Sequence, residues 1–144
     1  AASRSQLVRE KIRPYLDHNY YVISDRFHDS TTAYQGYGRG LSVEIVNNIH
    51  KVSIGNTLPD ITFFIDIPVA EAEKRKTSEG SRSLDRIEMS EIKFYERVRQ
   101  GYLHIASEEK RFKIIDGTQS IDEIHSQIIN EIVFWEKRKR DEIV

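Results

Sequence analysis

The 144 residues include no cysteine, so no disulfide and no thiolate metal site can form, and a reducing compartment is the expectation. No apolar run approaches the roughly 20 residues that a membrane helix needs, and the first residues do not read as a secretory leader. A cytoplasmic location is therefore expected. Charge of one sign is not in excess: 22 basic side chains face 23 acidic ones, for a net charge of −1. A dedicated nucleic-acid or membrane-surface binder usually carries a basic surplus, so neither partner is expected. The basic run at 137–140 has acidic neighbours on both sides and does not change this. Five histidines, at 18, 28, 50, 104 and 125, show no ligand spacing, and no protein-held metal is expected. One absence has more weight than the others. No G-x-x-x-x-G-K-[ST] loop, the backbone cradle for donor phosphates, occurs anywhere. The sequence also opens without Met, inside a helical pattern, and reads as part of a longer chain.

What is present alternates between helical and strand periods. Leu7, Val8, Ile12, Tyr15 and Leu16 predict a first helix, kinked near Pro14 and stopped at Asn19. Residues 20–24 (YYVIS) predict a buried strand. Gly36, Gly38 and Gly40 argue against any regular element over their stretch. Val43, Val46, Ile49 and Val52 predict a helix ending near Gly55. Residues 61–67 (ITFFIDI) are almost continuously apolar, as suits a strand covered on both faces. Pro68 opens a short basic helix, and residues 77–83 read as a loop. A long amphipathic helix follows, marked by Ile87, Phe94, Val98, Tyr102 and Ile105. A strand at 112–115 and a helix capped by Ser120 with Glu123 complete the pattern. Strands alternating with helices predict one α/β domain over 1–144 with a mostly parallel sheet. Three strands are few for such a sheet (five or six is the average), so its first strand or strands are expected to be missing from this stretch.

The chemistry gathers at residues 24–40, SDRFHDSTTAYQGYGRG. Asp25 and Arg26 lie at the end of an apolar run, where α/β proteins bind anions. The guanidinium fork of Arg26 matches two phosphate oxygens, and Asp25 can orient that fork or a water of Mg2+. The plainer reading is a strand-capping pair. Ser30, Thr31, Tyr34 and Gln35 follow closely with groups suited to a base or sugar. His28 reads as a surface loop residue. Arg4, beside the apolar face of the first helix, reads first as an ordinary surface arginine. Arg75, Arg82 and Arg86 surround a loop of the kind that closes over phosphates, or form a solvated charge run. Asp85 and Glu88 suit a helix start. Asp116, Gly117 and Thr118 offer backbone to a purine, or simply turn the chain toward Ser120.

In their order these motifs resemble bacterial thymidylate kinase over nearly the whole chain. AASRSQ resembles the family's substrate helix, and Asp25 to Gly40 its DR…S…AYQG.GRG signature. LPDITFFIDI resembles the strand before the lid, LDRIE the helix after it, and IIDGTQ the adenine-side loop. The resemblance implies a P-loop nucleoside monophosphate kinase fold, a parallel sheet flanked by helices, and phosphoryl transfer from Mg2+-ATP to dTMP. It implies that Arg4 binds thymine, that Arg26 grips the acceptor phosphate and the transferring group, and that Asp25 organises the magnesium region. Ser30, Thr31, Tyr34 and Gln35 would line the thymidine pocket. Arg75 and Arg82, in a lid at about 75–86, would face ATP, Asp85 and Glu88 the acceptor side, and Asp116, Gly117 and Thr118 the adenine. A homodimer through the first helix and its neighbours is also implied. The family's P-loop lies before the position of Ala1. The 144 residues alone are thus expected to be inactive and marginally stable. The alternatives are a kinase for another deoxynucleotide or nucleoside, and a non-catalytic nucleotide-binding module.

Overall fold

The computed structural model describes residues 1–77 and 86–141. The first helix, α1, covers residues 2–17 in three parts: Ala2–Leu7, a π-helical turn Val8–Ile12, and Arg13–Asp17. In the wide turn the Arg13 N–H reaches the carbonyl of Val8, five residues back. It stands immediately before Pro14, whose ring would crowd the carbonyl four residues back in a regular helix and supplies no N–H. The proline is thus absorbed, and the helix runs on to Asp17. Asn19 ends it at φ 61°, the left-handed stop expected of it. Val8 and Ile12 are buried with Ile54, and Phe27 packs against them.

Residues 20–24 correct the expectation of a buried strand. They belong to no strand and are exposed, with Ile23 at 95 % exposure. An apolar, β-branched run has strand propensity, but it becomes a strand only where a neighbour completes the ladder. Among the described residues the sheet holds two strands, β1 (Thr62–Asp66) and β2 (Phe112–Asp116). They run parallel, in register from Thr62 opposite Phe112 to Asp66 opposite Asp116. Cover on both faces is also incomplete, since Ile65 and Ile114 are exposed.

The glycine stretch brings a second correction, because α2 (residues 28–38) continues through Gly36 and Gly38. It begins as the α-turn His28–Thr31 and widens into the π-helical Thr32–Gly38. Its glycines are needed for approach. A Cβ on Gly38 would stand 2.7 Å from the side chains of Phe94 and Val98. These two belong to α5 (Arg86–Glu108). On α5 itself, a Cβ on Gly101 would stand 2.6 Å from the Cβ of Tyr37. The two helices therefore meet nearly backbone to backbone, and Arg97 Nε fastens them by donating to the Gly38 carbonyl at 2.9 Å. Ala33, Val98, Ile105 and Phe112 form the main core beneath this contact.

The third helix, α3 (Val43–Ile54), buries Val46, His50, Ser53 and Ile54 and leaves Ile45, Ile49 and Val52 exposed. The short helix α4 (Val69–Thr77) follows Pro68, whose carbonyl accepts the N–H groups of Glu71 and Ala72. The last helix, α6 (Ile121–Asp141), starts with the expected capping box. Ser120 N–H donates to Glu123 Oε2 at 2.9 Å, and Glu123 N–H to Ser120 Oγ at 3.3 Å. No helix among the described residues is long and apolar enough to cross a membrane.

Candidate functional site

The extended run 20–24 delivers Asp25 and Arg26 to the head of α2, and both are exposed there. Arg26 takes φ 67°, a left-handed conformation that costs a non-glycine residue roughly 1–2 kcal/mol. Its neighbours hold it in place. The Ser24 hydroxyl donates to the Arg26 carbonyl at 2.9 Å. Arg26 Nε lies 3.4 Å from Ser30 Oγ, and the guanidinium carbon stands 4.4 Å from the centre of the Tyr34 ring. Strain of this kind collects at functional positions, where the surroundings over-determine the geometry.

Ser30 in turn accepts from the Tyr102 hydroxyl at 2.7 Å. Tyr102 lies flat on Phe64 of β1, with ring centroids 4.8 Å apart. Burial raises its phenol pKa, so it stays a neutral donor. At the next residue Arg4 donates to Thr31 Oγ1 at 2.8 Å and approaches the Phe27 carbonyl at 3.5 Å. Burial lowers the Arg4 pKa, and its guanidinium sits 5.7 Å from the Phe27 ring centre. One end of α2 thus brings together Arg4, Arg26, Ser30, Thr31 and Tyr34. Arg4 is no ordinary surface arginine. Gln35 follows on the same helix, its carbonyl accepting the N–H of Leu41. Tyr102 is a member that sequence reasoning missed. It reads as one more apolar position of α5, and no local signal marks its hydroxyl.

The remaining expected residues lie elsewhere. Arg75, on α4, pairs with Glu71 at 3.1 Å. Arg82 and Asp85 lie outside the described residues, as does most of the expected lid, and the side chain of Glu88 is likewise not described. The Asp116–Thr118 turn is firmly shaped. Asp116 Oδ1 accepts from the Thr118 N–H at 2.9 Å and from its hydroxyl at 2.7 Å, and these bonds lower the Asp116 pKa. The Gly117 N–H donates to the Asp66 carbonyl at 2.7 Å, and a Cβ on Gly117 would stand 2.9 Å from that oxygen.

Behind α2 lies a buried polar cluster. Asp29 accepts two bonds from Arg111, at 2.6 and 2.9 Å. His28 Nε2 lies 3.2 Å from Asp29 Oδ1, and His50 Nε2 pairs with the Thr32 hydroxyl at 3.1 Å. His28 is therefore buried, at 7 % exposure, which corrects its reading as a surface loop residue. Burial pushes its pKa down to about 4; Arg111, His50 and Arg4 push the same way and Asp29 opposes them. The folded chain keeps His28 neutral at pH values where the unfolded chain, titrating near 6.5, takes up a proton. Its contribution to stability is thus complete above about 6.5 and is lost as pH falls toward 4. We expect urea midpoints to fall over that window and the fall to be shallower in His28→Phe. An equal slope in that variant rules out His28 as the source.

A carboxylate and a guanidinium at the head of α2, followed by hydroxyls and an aromatic face, are groups of the kind that bind nucleotides. Comparison with known proteins gives the family. The thymidylate kinase family model matches residues 1–128. The thymidylate kinase of Kosmotoga olearia is 47 % identical over 138 residues, covering 95 % of this chain and 65 % of that protein. That of Mycoplasma capricolum is 42 % identical over 142 residues, 98 % of this chain and 66 % of the other. That of Chlorobium luteolum is 47 % identical over 140 residues, 92 % and 65 %. The chain belongs to the thymidylate kinase family, and its α/β fold is of the P-loop kinase class. It spans about two thirds of the length of these relatives.

Proposed function

We propose that the full-length gene product transfers the γ-phosphoryl group of ATP to dTMP, giving dTDP, and that this chain carries the acceptor half of the site. The observation behind this reading is the convergence of two arginines on one helix end: Arg26 against Ser30 and Tyr34, Arg4 against Thr31. Arg26 offers its fork to the acceptor phosphate and to the charge that spreads over the transferring group. Arg4 reaches the thymine. Ser30, Thr31, Tyr34 and Gln35 line the thymidine pocket, with Tyr34 excluding a ribose 2′-hydroxyl. Arg75 and Arg82 serve ATP, Asp85 and Glu88 the acceptor side, and the Asp116–Gly117–Thr118 backbone the adenine.

Mg2+ suits this arrangement. Such an ion is held mainly by nucleotide phosphates and water, so a single exposed carboxylate, Asp25, would be an adequate protein contribution. The ion would neutralise phosphate charge, and Arg26 and Asp25 would align the acceptor toward it.

The exposed apolar face of α3, with Ile45, Ile49 and Val52 beside the start of α1, supports a homodimer through these helices. A cytoplasmic enzyme of nucleotide biosynthesis is the corresponding setting. The test is turnover of dTMP against dCMP, dUMP and deoxynucleosides by the full-length product. We expect dTMP to lead in kcat/KM by at least tenfold. Preference for another acceptor, or no turnover, overturns the proposal. The 144 residues alone are expected to give none.

A further inference from the structure

Arg111 stands immediately before β2, and its guanidinium reaches three places. Nη2 donates to Asp29 Oδ1 at 2.6 Å, and Nη1 donates to Asp29 Oδ2 at 2.9 Å and to the Thr62 hydroxyl at 2.6 Å. Thr62 begins β1. Asp29 immediately precedes Ser30 and Thr31, the residues that hold Arg26 and Arg4. Both charged side chains are about nine-tenths buried, at 11 % and 9 % exposure. The guanidinium also lies over the Phe112 ring, 4.9 Å from its centre. One planar group therefore joins the heads of both strands to the helix that carries the acceptor side. The far end of β2 carries the Asp116–Thr118 turn.

We propose that Asp29 and Arg111 are positioning residues: their bidentate pair sets the place of Ser30 and Thr31, and through them the aim of Arg26 and Arg4 at the acceptor nucleotide. This rests on the function proposed above. A buried pair retained only for stability can be exchanged for apolar side chains of similar volume at little cost, since the exchange also removes two desolvated charges. A positioning pair cannot be exchanged in that way, because the aim of its neighbours changes even when the fold survives.

The test uses the full-length protein and the double variant Asp29→Leu/Arg111→Met. We expect a cooperative thermal transition, a KM for dTMP raised at least tenfold, and a KM for ATP within twofold of the parent. An unchanged KM for dTMP in the folded double variant overturns the proposal. Should that variant fail to fold, Arg111→Lys keeps the charge without the fork, and the same split between the two KM values is required of it. Absence of dTMP turnover in the unsubstituted protein overturns the functional reading, and this proposal with it. Turnover in the parent with equal KM values in the variants removes the positioning role alone.

Discussion

If the proposed function holds, we expect Arg26→Lys in the full-length protein to lower kcat for dTMP phosphorylation by about 10³-fold, in line with the contribution of transition-state arginines in phosphoryl transfer. The charge survives this substitution; the fork does not. Lysine is a point charge on a flexible stem and cannot donate two parallel bonds to one phosphate. It also loses the contact of the guanidinium, 4.4 Å over the centre of the Tyr34 ring, which helps to hold the donors before substrate arrives. Donors fixed in advance need no reorganisation as charge develops, which is why they act on kcat. Binding of dTMP should weaken much less than turnover. Steady-state kinetics with calorimetric titration of dTMP check this, and a kcat within tenfold of the parent removes Arg26 from the reacting centre.

The second large effect concerns stability. Gly101→Val should destabilise the full-length protein by about 3 kcal/mol, the upper end of the usual range for overpacking. The atoms that would meet the new side chain are the Cβ, Cγ and Cδ2 of Tyr37, at 2.6 to 2.8 Å from the first added carbon alone. These sit close to the α2 backbone and cannot swing aside as a flexible chain end would. Gly40→Ala is the control. Nothing lies within 4 Å of its added carbon, and the strain comes from φ +74° alone, worth roughly 1–2 kcal/mol. Urea unfolding of both variants separates crowding from backbone strain, and equal losses refute the close-approach account of Gly101.

The sequence makes some of these features legible and hides others. The strands at 62–66 and 112–116, the left-handed stop at Asn19 and the Ser120–Glu123 cap depend on residues close in sequence, and local chemistry reveals them. Residues 20–24 have the same apolar, β-branched composition as those strands, but a strand also needs a neighbour, which composition does not supply. Gly38 looks like a helix breaker because the partner that requires its bareness, α5, is more than fifty residues away. The burial of His28 has the same origin, since its ring meets that of His50 on α3, centroids 5.3 Å apart. In the candidate site, Arg4, Arg26, Ser30, Thr31 and Tyr34, singled out by the motif order, lie together at one end of α2. Tyr102 was hidden because an aromatic residue at helical spacing looks alike whether or not its hydroxyl has a polar partner.

A π-helical turn is an α-helix carrying one residue more than its hydrogen bonding requires. The stretch Thr32–Gly38 is such a turn, and it sits between the hydroxyls of Ser30 and Thr31 on one side and the Arg97-held carbonyl of Gly38 on the other. In evolutionary terms it is a spare residue. A lineage that deleted it would keep a helix of regular pitch, yet every side chain beyond the deletion would turn by about 100° relative to those before it. The two ends of α2 are therefore phased by the surplus residue, and shortening the helix would leave it intact as a helix while separating its hydroxyl end from its glycine end.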